Sequence, residues 1–421
     1  MLPSLLVTPL PRLPFGTLGA QLAIGATFLI HIAIVGFILA AVALAPFMEL
    51  AGRRRQDEMC LRYAHGLSKA VLYLYSFGAT WAVLAVVLLT GLYGRLIGTV
   101  LNLLLLPLTI AFSSFFLGIP LLLLYVYGWE RIPPKLHLAV GFLFIVVQYT
   151  FLFTIVELDS FVLNPGTATS ALNAAFSPSY PWLLLHYVFA NLSWAPLLLA
   201  GIAIWRLRRA KSPAEAVYQR WAARINFAIG SICLLAQPIT GFLLADTIKG
   251  NAQPAFDNLF VLNSANLFIG QVALLAVLVI GANLVFWRHR ENGVLGAGGG
   301  PLTIVAVVGM GVTALPASII GSNILALRYV ALLIAFLATL ANLILYLRSL
   351  HRSTGERISP AVARMIGVIG VAALALNLYM GIIKENAKLP CGIDANTSQQ
   401  SCLLTLNQSA QNFTVPRGTL P

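Results

Sequence analysis

Two imidazoles stand inside long apolar runs. His31 lies in FLIHIAIVGF (28–37) and His186 in YPWLLLHYVFANLSW (180–194). A ring in such a place has three uses: a hydrogen bond to a carbonyl on the next helix, a face on a cavity, or a bond to a metal. The carbonyl bond is the plain alternative for either ring taken alone. Neither histidine sits in an HxxxH or HExxH spacing, which argues against zinc. No CxxCH occurs, so covalently attached haem is excluded. Axial ligation of a b-type haem iron asks for a neutral imidazole held by a rigid helix in an apolar site, and both residues offer that. The other four, His65, His137, His289 and His351, fall in or beside basic loops and read as solvated side chains.

The elements that must carry the two rings are membrane helices. The chain has 421 residues, is 59% hydrophobic and 9% charged, and has a mean hydropathy of +0.88. Repeated continuous apolar runs of about 20 residues are too long and too uniform for a soluble core. They do not alternate, so a β-barrel is excluded, and lipid admits only helices otherwise. The fold class is therefore all-α, a polytopic bundle of about ten spans. We place them near 18–48, 69–93, 98–127, 137–158, 181–205, 222–245, 264–287, 302–324, 326–347 and 361–384. Residues 1–384 form one transmembrane helical domain and 385–421 a tail. The opening MLPSLLVTPLPRLPFG lacks a basic start and a small-residue cleavage site, so it does not read as a cleaved signal. His31 is then roughly 20 Å along its helix, and His186 lies one to two turns inside the fifth.

The net charge of +13 raises nucleic acid as a partner, but its distribution excludes that. Nineteen of the 26 basic residues, including Arg53, Arg54, Arg55, Arg131, Arg206 and Arg288, follow the odd-numbered spans. That asymmetry makes those loops cytoplasmic and places the N-terminus, the 159–180 loop and the tail outside, in an inner-membrane protein. Cys391 and Cys402 then fall in an oxidising compartment that permits a disulfide; Cys60 and Cys233 read as free thiols. The tail carries N-x-[ST] patterns at Asn396, Asn407 and Asn412, which matter only in a source that glycosylates.

At this point several weak features fall in one order. His31 is followed by Met48-Glu49 at the end of the first span. GWERIPPKLH supplies Gly128, Trp129, Glu130, Arg131 and His137 between the third and fourth. Asn164-Pro165 follows the fourth, and His186 lies in the fifth. Across residues 20–210 this resembles the haem-bearing subunit I of cytochrome bd quinol oxidases. The resemblance implies a bd-like first half, with His186 holding the iron of a low-spin haem b and His31 a second haem. One or two haems b are implied, the His186 haem first. The departures are equally specific. Where the third helix of that family bears glutamates, LTIAFSSFFLGIP has Ala111 and Gly118. The GRQPW motif is absent, and the quinol-binding loop has shrunk to DTIKGNAQPAFDNLFVLN. Where a methionine would complete the low-spin haem stands Gln271, with Met380 a distant alternative. Beyond residue 290 no match is seen. Arg328, with Lys249 nearby, is the candidate cation for haem propionates, against ordinary snorkelling to the interface.

Reducing oxygen needs protons led into the membrane along carboxylates, and Glu49, Glu157 and Asp246 all sit at span ends. The expected function is therefore electron transfer within a respiratory complex. Electrons would pass between the quinone pool or a membrane haem and an extracytoplasmic cytochrome or redox enzyme, beside other membrane subunits. The competing expectation is a haem-free anchor for a periplasmic redox enzyme. A transporter ranks last, because mid-span charges are missing.

Overall fold

The computed structural model describes residues 16–163, 175–260, 265–291, 299–314, 325–350 and 358–387. Eleven α-helices account for nearly all of them: α1 (Gly16–Arg55), α2 (Glu58–Leu103), α3 (Leu105–Tyr127), α4 (Pro134–Leu163), α5 (Tyr180–Leu207), α6 (Pro213–Asn251), α7 (Gln253–Phe260), α8 (Ala265–Glu291), α9 (Gly299–Ala314), α10 (Leu325–Leu350) and α11 (Pro360–Ala387). Nine of these are long and apolar enough to cross a membrane, and α9 is a shorter apolar helix. They account for the ten expected spans; residues 315–324, the second half of the eighth, lie outside the described residues.

The boundaries follow local chemistry. Asp57 starts α2 by accepting from the backbone N–H of Met59 (2.9 Å) and Cys60 (3.3 Å). Ser212 caps α6, its Oγ accepting from Glu215 N–H at 3.2 Å with Pro213 at the first helical position. One boundary differs from the sequence reading. The turn expected at 94–97 is helical, and the break falls at Leu104. Pro107 explains the shift: it has no N–H to continue the ladder and tolerates only the first turn of a helix, so α3 restarts just before it. The three glycines at 91, 94 and 98 do not suffice to end a helix.

The core runs through α1 to α6, α8, α10 and α11. α5 packs along α6 and α11, α1 along α2, and α3 along α4. Close approach depends on small residues. A Cβ on Gly230 would lie 2.9 Å from the Ser193 carbonyl and 2.7 Å from Leu197, and one on Gly370 only 3.2 Å from Gly201 Cα. A separate group, α8, α9 and α10, is joined by buried amides. Asn342 Nδ2 donates to Asn283 Oδ1 (2.9 Å) and Thr303 Oγ1 (3.0 Å), and Asn283 Nδ2 donates to Thr339 Oγ1 (2.9 Å). The ends of α1 and α5 that carry Arg53–Arg55 and Arg206 mark the basic end of the bundle.

At the basic end the structure corrects one expectation. His137 is not solvated; it is fully buried, as is Glu49. Pro133 and Pro134 open α4, and the register turns His137 inward onto Tyr125 (ring centroids 4.7 Å apart) and Trp129 (4.9 Å). Its Nδ1 meets Glu49 Oε1 at 2.8 Å and its Nε2 the Tyr125 carbonyl at 2.7 Å. Glu49 also accepts from Arg53 Nε (2.7 Å) and Tyr125 Oη (3.0 Å). The Met-Glu and GWER…H signatures are thus two halves of one cluster tying α1, α3 and α4. His65 stacks on Trp129 at 4.6 Å.

Candidate functional site

Residues of all eleven helices line a cavity of about 2560 Å³, with α1 to α6, α8 and α11 forming most of its wall. It is well above the roughly 300–1,000 Å³ that holds one small ligand. His31 and His186 both line it, and so does Gln271. Arg328 falls on α10, and its side chain lies outside the described residues.

Each ring is held differently. On the α1 side, a Cβ on Gly381 would lie 3.0 Å from Leu29 and 3.9 Å from Ile32, so α11 runs directly against the His31 turn. That approach brings Asn377, Met380 and Lys384 onto the same cavity. His31 Nδ1 and Asn377 Nδ2 are both buried and have no hydrogen-bond partner. Buried donors and acceptors without partners are rare and mark strain or an unfilled site. On the other side, His186 Nδ1 lies 3.1 Å from Thr240 Oγ1, and Gln237 Nε2 donates to the His186 carbonyl at 3.1 Å. Gly241 keeps the ring's edge open, since even a Cβ there would be only in van der Waals contact with Cε1 at 3.4 Å.

The rim away from the basic end carries the charge. Lys384 Nζ pairs with Asp159 Oδ2 at 2.6 Å, and Tyr187 Oη donates to the same oxygen at 3.0 Å. Lys249 and Asp246 also line the cavity. Asp159 and Asp246 are its two acidic lining residues, and its third-helix wall is apolar, with Ala111 buried. Gly118 lies one face away, where Gln148 fills the space and donates to Tyr75 Oη at 3.3 Å.

Sequence reasoning named both histidines, Gln271 and, more distantly, Met380. It missed Thr240, Asn377 and the Asp159–Lys384 pair. Lys384 carries a signal that could have been read: it is a cation in the last turn of a span, away from the basic loops. Thr240 and Asn377 carry none, because small polar residues in spans are common.

Known proteins explain the arrangement. The model of the family described as cytochrome bd terminal oxidase subunit I matches residues 20–255, more than half of the chain. The chain belongs to the cytochrome bd terminal oxidase subunit I family. Cytochrome bd ubiquinol oxidase subunit 1 of Bacillus subtilis (strain 168) is 22% identical to it over 257 residues, which are 56% of this chain and 52% of that protein. The chain thus spans about half the length of that relative. The bd oxidase structure from Geobacillus thermodenitrificans superposes with a TM-score of 0.54 at 14% identity, covering 94% of this chain and 98% of that one. The bd-like fold therefore continues past residue 290, where the sequence shows no resemblance. In this bd subunit I-family chain a histidine on α1 and another on α5 line one cavity.

Proposed function

We propose that the chain is a haem b subunit of a membrane respiratory complex that carries electrons and does not itself reduce oxygen. The observation that carries this is the convergence of His31 and His186 on one apolar cavity, with a buried His31 nitrogen lacking any partner. The donor set suits haem: neutral imidazoles on rigid helices, apolar walls, and cations at one rim. His186 would hold the iron of one haem, and His31 that of a second where two are bound. Gln271 and Met380 line the same cavity and would be the further candidates to hold the group, the thioether being the softer donor. Bound haem supplies one-electron redox chemistry; the chain supplies the rest.

The protein's part is electrostatic and steric. The apolar helix faces exclude water. Lys384 and Lys249 line the cavity and, beside the expected Arg328, would be candidates to meet carboxylate groups of a ligand. Ala111 and Gly118 offer no carboxylate to pass protons inward, which is why oxygen reduction is left out of the proposal. Electrons would pass between the quinone pool or a neighbouring membrane haem and an extracytoplasmic cytochrome or redox enzyme docked away from the basic end, which we assign to the cytoplasm. Other membrane subunits complete the complex.

The test is a reduced-minus-oxidised spectrum of purified protein, with pyridine haemochrome to count haem b. We expect a sharp b-type α-band that His186→Ala abolishes and His31→Ala only alters. A colourless preparation from haem-replete cells would overturn the proposal and favour the haem-free anchor.

A further inference from the structure

We infer that Thr240 is a positioning residue that fixes the proton on His186 Nδ1 and so reserves Nε2 for a metal. The inference rests on the reading that His186 holds a haem iron, and it follows from counting protons around one hydroxyl. Thr240 Oγ1 is 3.2 Å from the Ala236 carbonyl and 3.3 Å from the Gln237 carbonyl of its own helix. Carbonyl oxygens only accept, and we assign the single hydroxyl proton to that pair, the usual back-bond of a helical threonine. What Thr240 presents to the ring, 3.1 Å away, is a lone pair. With the proton so placed, His186 Nδ1 is the donor. Nδ1 carries the proton, and Nε2 of the neutral ring keeps its lone pair.

The local backbone explains why the acceptor is so placed. Pro238 interrupts α6 within the same turn, removing one N–H from the ladder. The residues on either side of it then grip His186 twice: Gln237 through the backbone carbonyl and Thr240 through the ring. The first contact fixes where the α5 turn sits, the second how the ring is rotated and which nitrogen is free. Metal-bound histidines generally need such a partner for the opposite nitrogen, and its loss typically weakens metal affinity about 10–100-fold. A donating Nδ1–H also makes Nε2 more basic, which favours the ferric state.

The experiment compares wild type, Thr240→Val, Thr240→Ser and His186→Ala as purified holoprotein. Haem loss to an excess of apomyoglobin and the midpoint potential of the b-type band are followed. We expect Thr240→Val to release haem about 10–100-fold more readily and to shift its midpoint upward, while Thr240→Ser stays near wild type. Should Thr240→Val fail to fold, Thr240→Ala carries the same expectation. A hydroxyl-free variant with wild-type haem retention and midpoint, beside a colourless His186→Ala, would refute the role of Thr240 and leave the haem reading intact. A His186→Ala protein with the wild-type band would overturn both.

Discussion

Replacing His137 by leucine should be among the most damaging single changes at the basic end of the bundle. The ring makes two buried bonds. Its Nε2 faces a carbonyl at 2.7 Å and must donate, and its Nδ1 faces Glu49 at 2.8 Å. Glu49 accepts from Arg53 and Tyr125 as well, so ring and carboxyl form a buried, fully hydrogen-bonded pair. Losing a bond to a charged group costs about 1.5–3 kcal/mol and the carbonyl bond about 0.5–1.5 kcal/mol. Breaking a fully buried pair from one side costs about 3–5 kcal/mol. Because Glu49 keeps two donors, the lower end applies, about 3 kcal/mol. Equilibrium unfolding in mixed micelles, titrated with SDS, would read this directly. Glu49→Gln and the double variant complete a cycle whose coupling should be about 0.5–3 kcal/mol. A His137→Leu protein within about 0.5 kcal/mol of wild type, the range of ordinary surface changes, would refute the buried-pair reasoning.

Other changes test other joints. Gly230→Ala should destabilise by about 1–3 kcal/mol in the same titration, because its methyl would meet Leu197 and the Ser193 carbonyl on α5. Asn342→Leu removes two amide bonds among α8, α9 and α10 and should cost about 1–3 kcal/mol, at about 0.6–1.7 per bond in a membrane interior; no change would mean the cluster does not hold the three helices. Asp159→Asn should cost about 1–3 kcal/mol, since the largely buried carboxylate holds both Lys384 and Tyr187, and should alter haem retention if Lys384 serves an anionic ligand. Gly118→Glu, which restores a carboxylate to the third helix, should fold poorly unless Gln148 is shortened, as judged by yield and gel filtration.

The sequence showed where chain and lipid must meet, because span length and loop charge depend on a few strong terms. Helix existence, number and most ends were legible for that reason. Leu104 was misplaced because three glycines in GLYGRLIG outweighed the steric rule set by Pro107, three residues beyond the true break. His137 was misjudged because loop proximity says little about which way a helical register turns a ring. The two cavity histidines were readable, since an imidazole in hydrocarbon is costly anywhere. Thr240 was not: its value lies in meeting the His186 ring, and that contact exists only once α5 and α6 are side by side. The likeness to a bd oxidase beyond residue 290 was invisible at 14% identity, because lipid-facing positions exchange one apolar side chain for another freely.

The apolar hollow of about 2560 Å³ shared by His31 and His186 is wide enough for a large ligand. In a bilayer, stray acyl chains would fill part of it. Whatever belongs there stabilises the assembled form by mass action. Abundance of the protein in the cell should accordingly rise and fall with porphyrin supply, and chains made during iron starvation should be the first that membrane proteases clear.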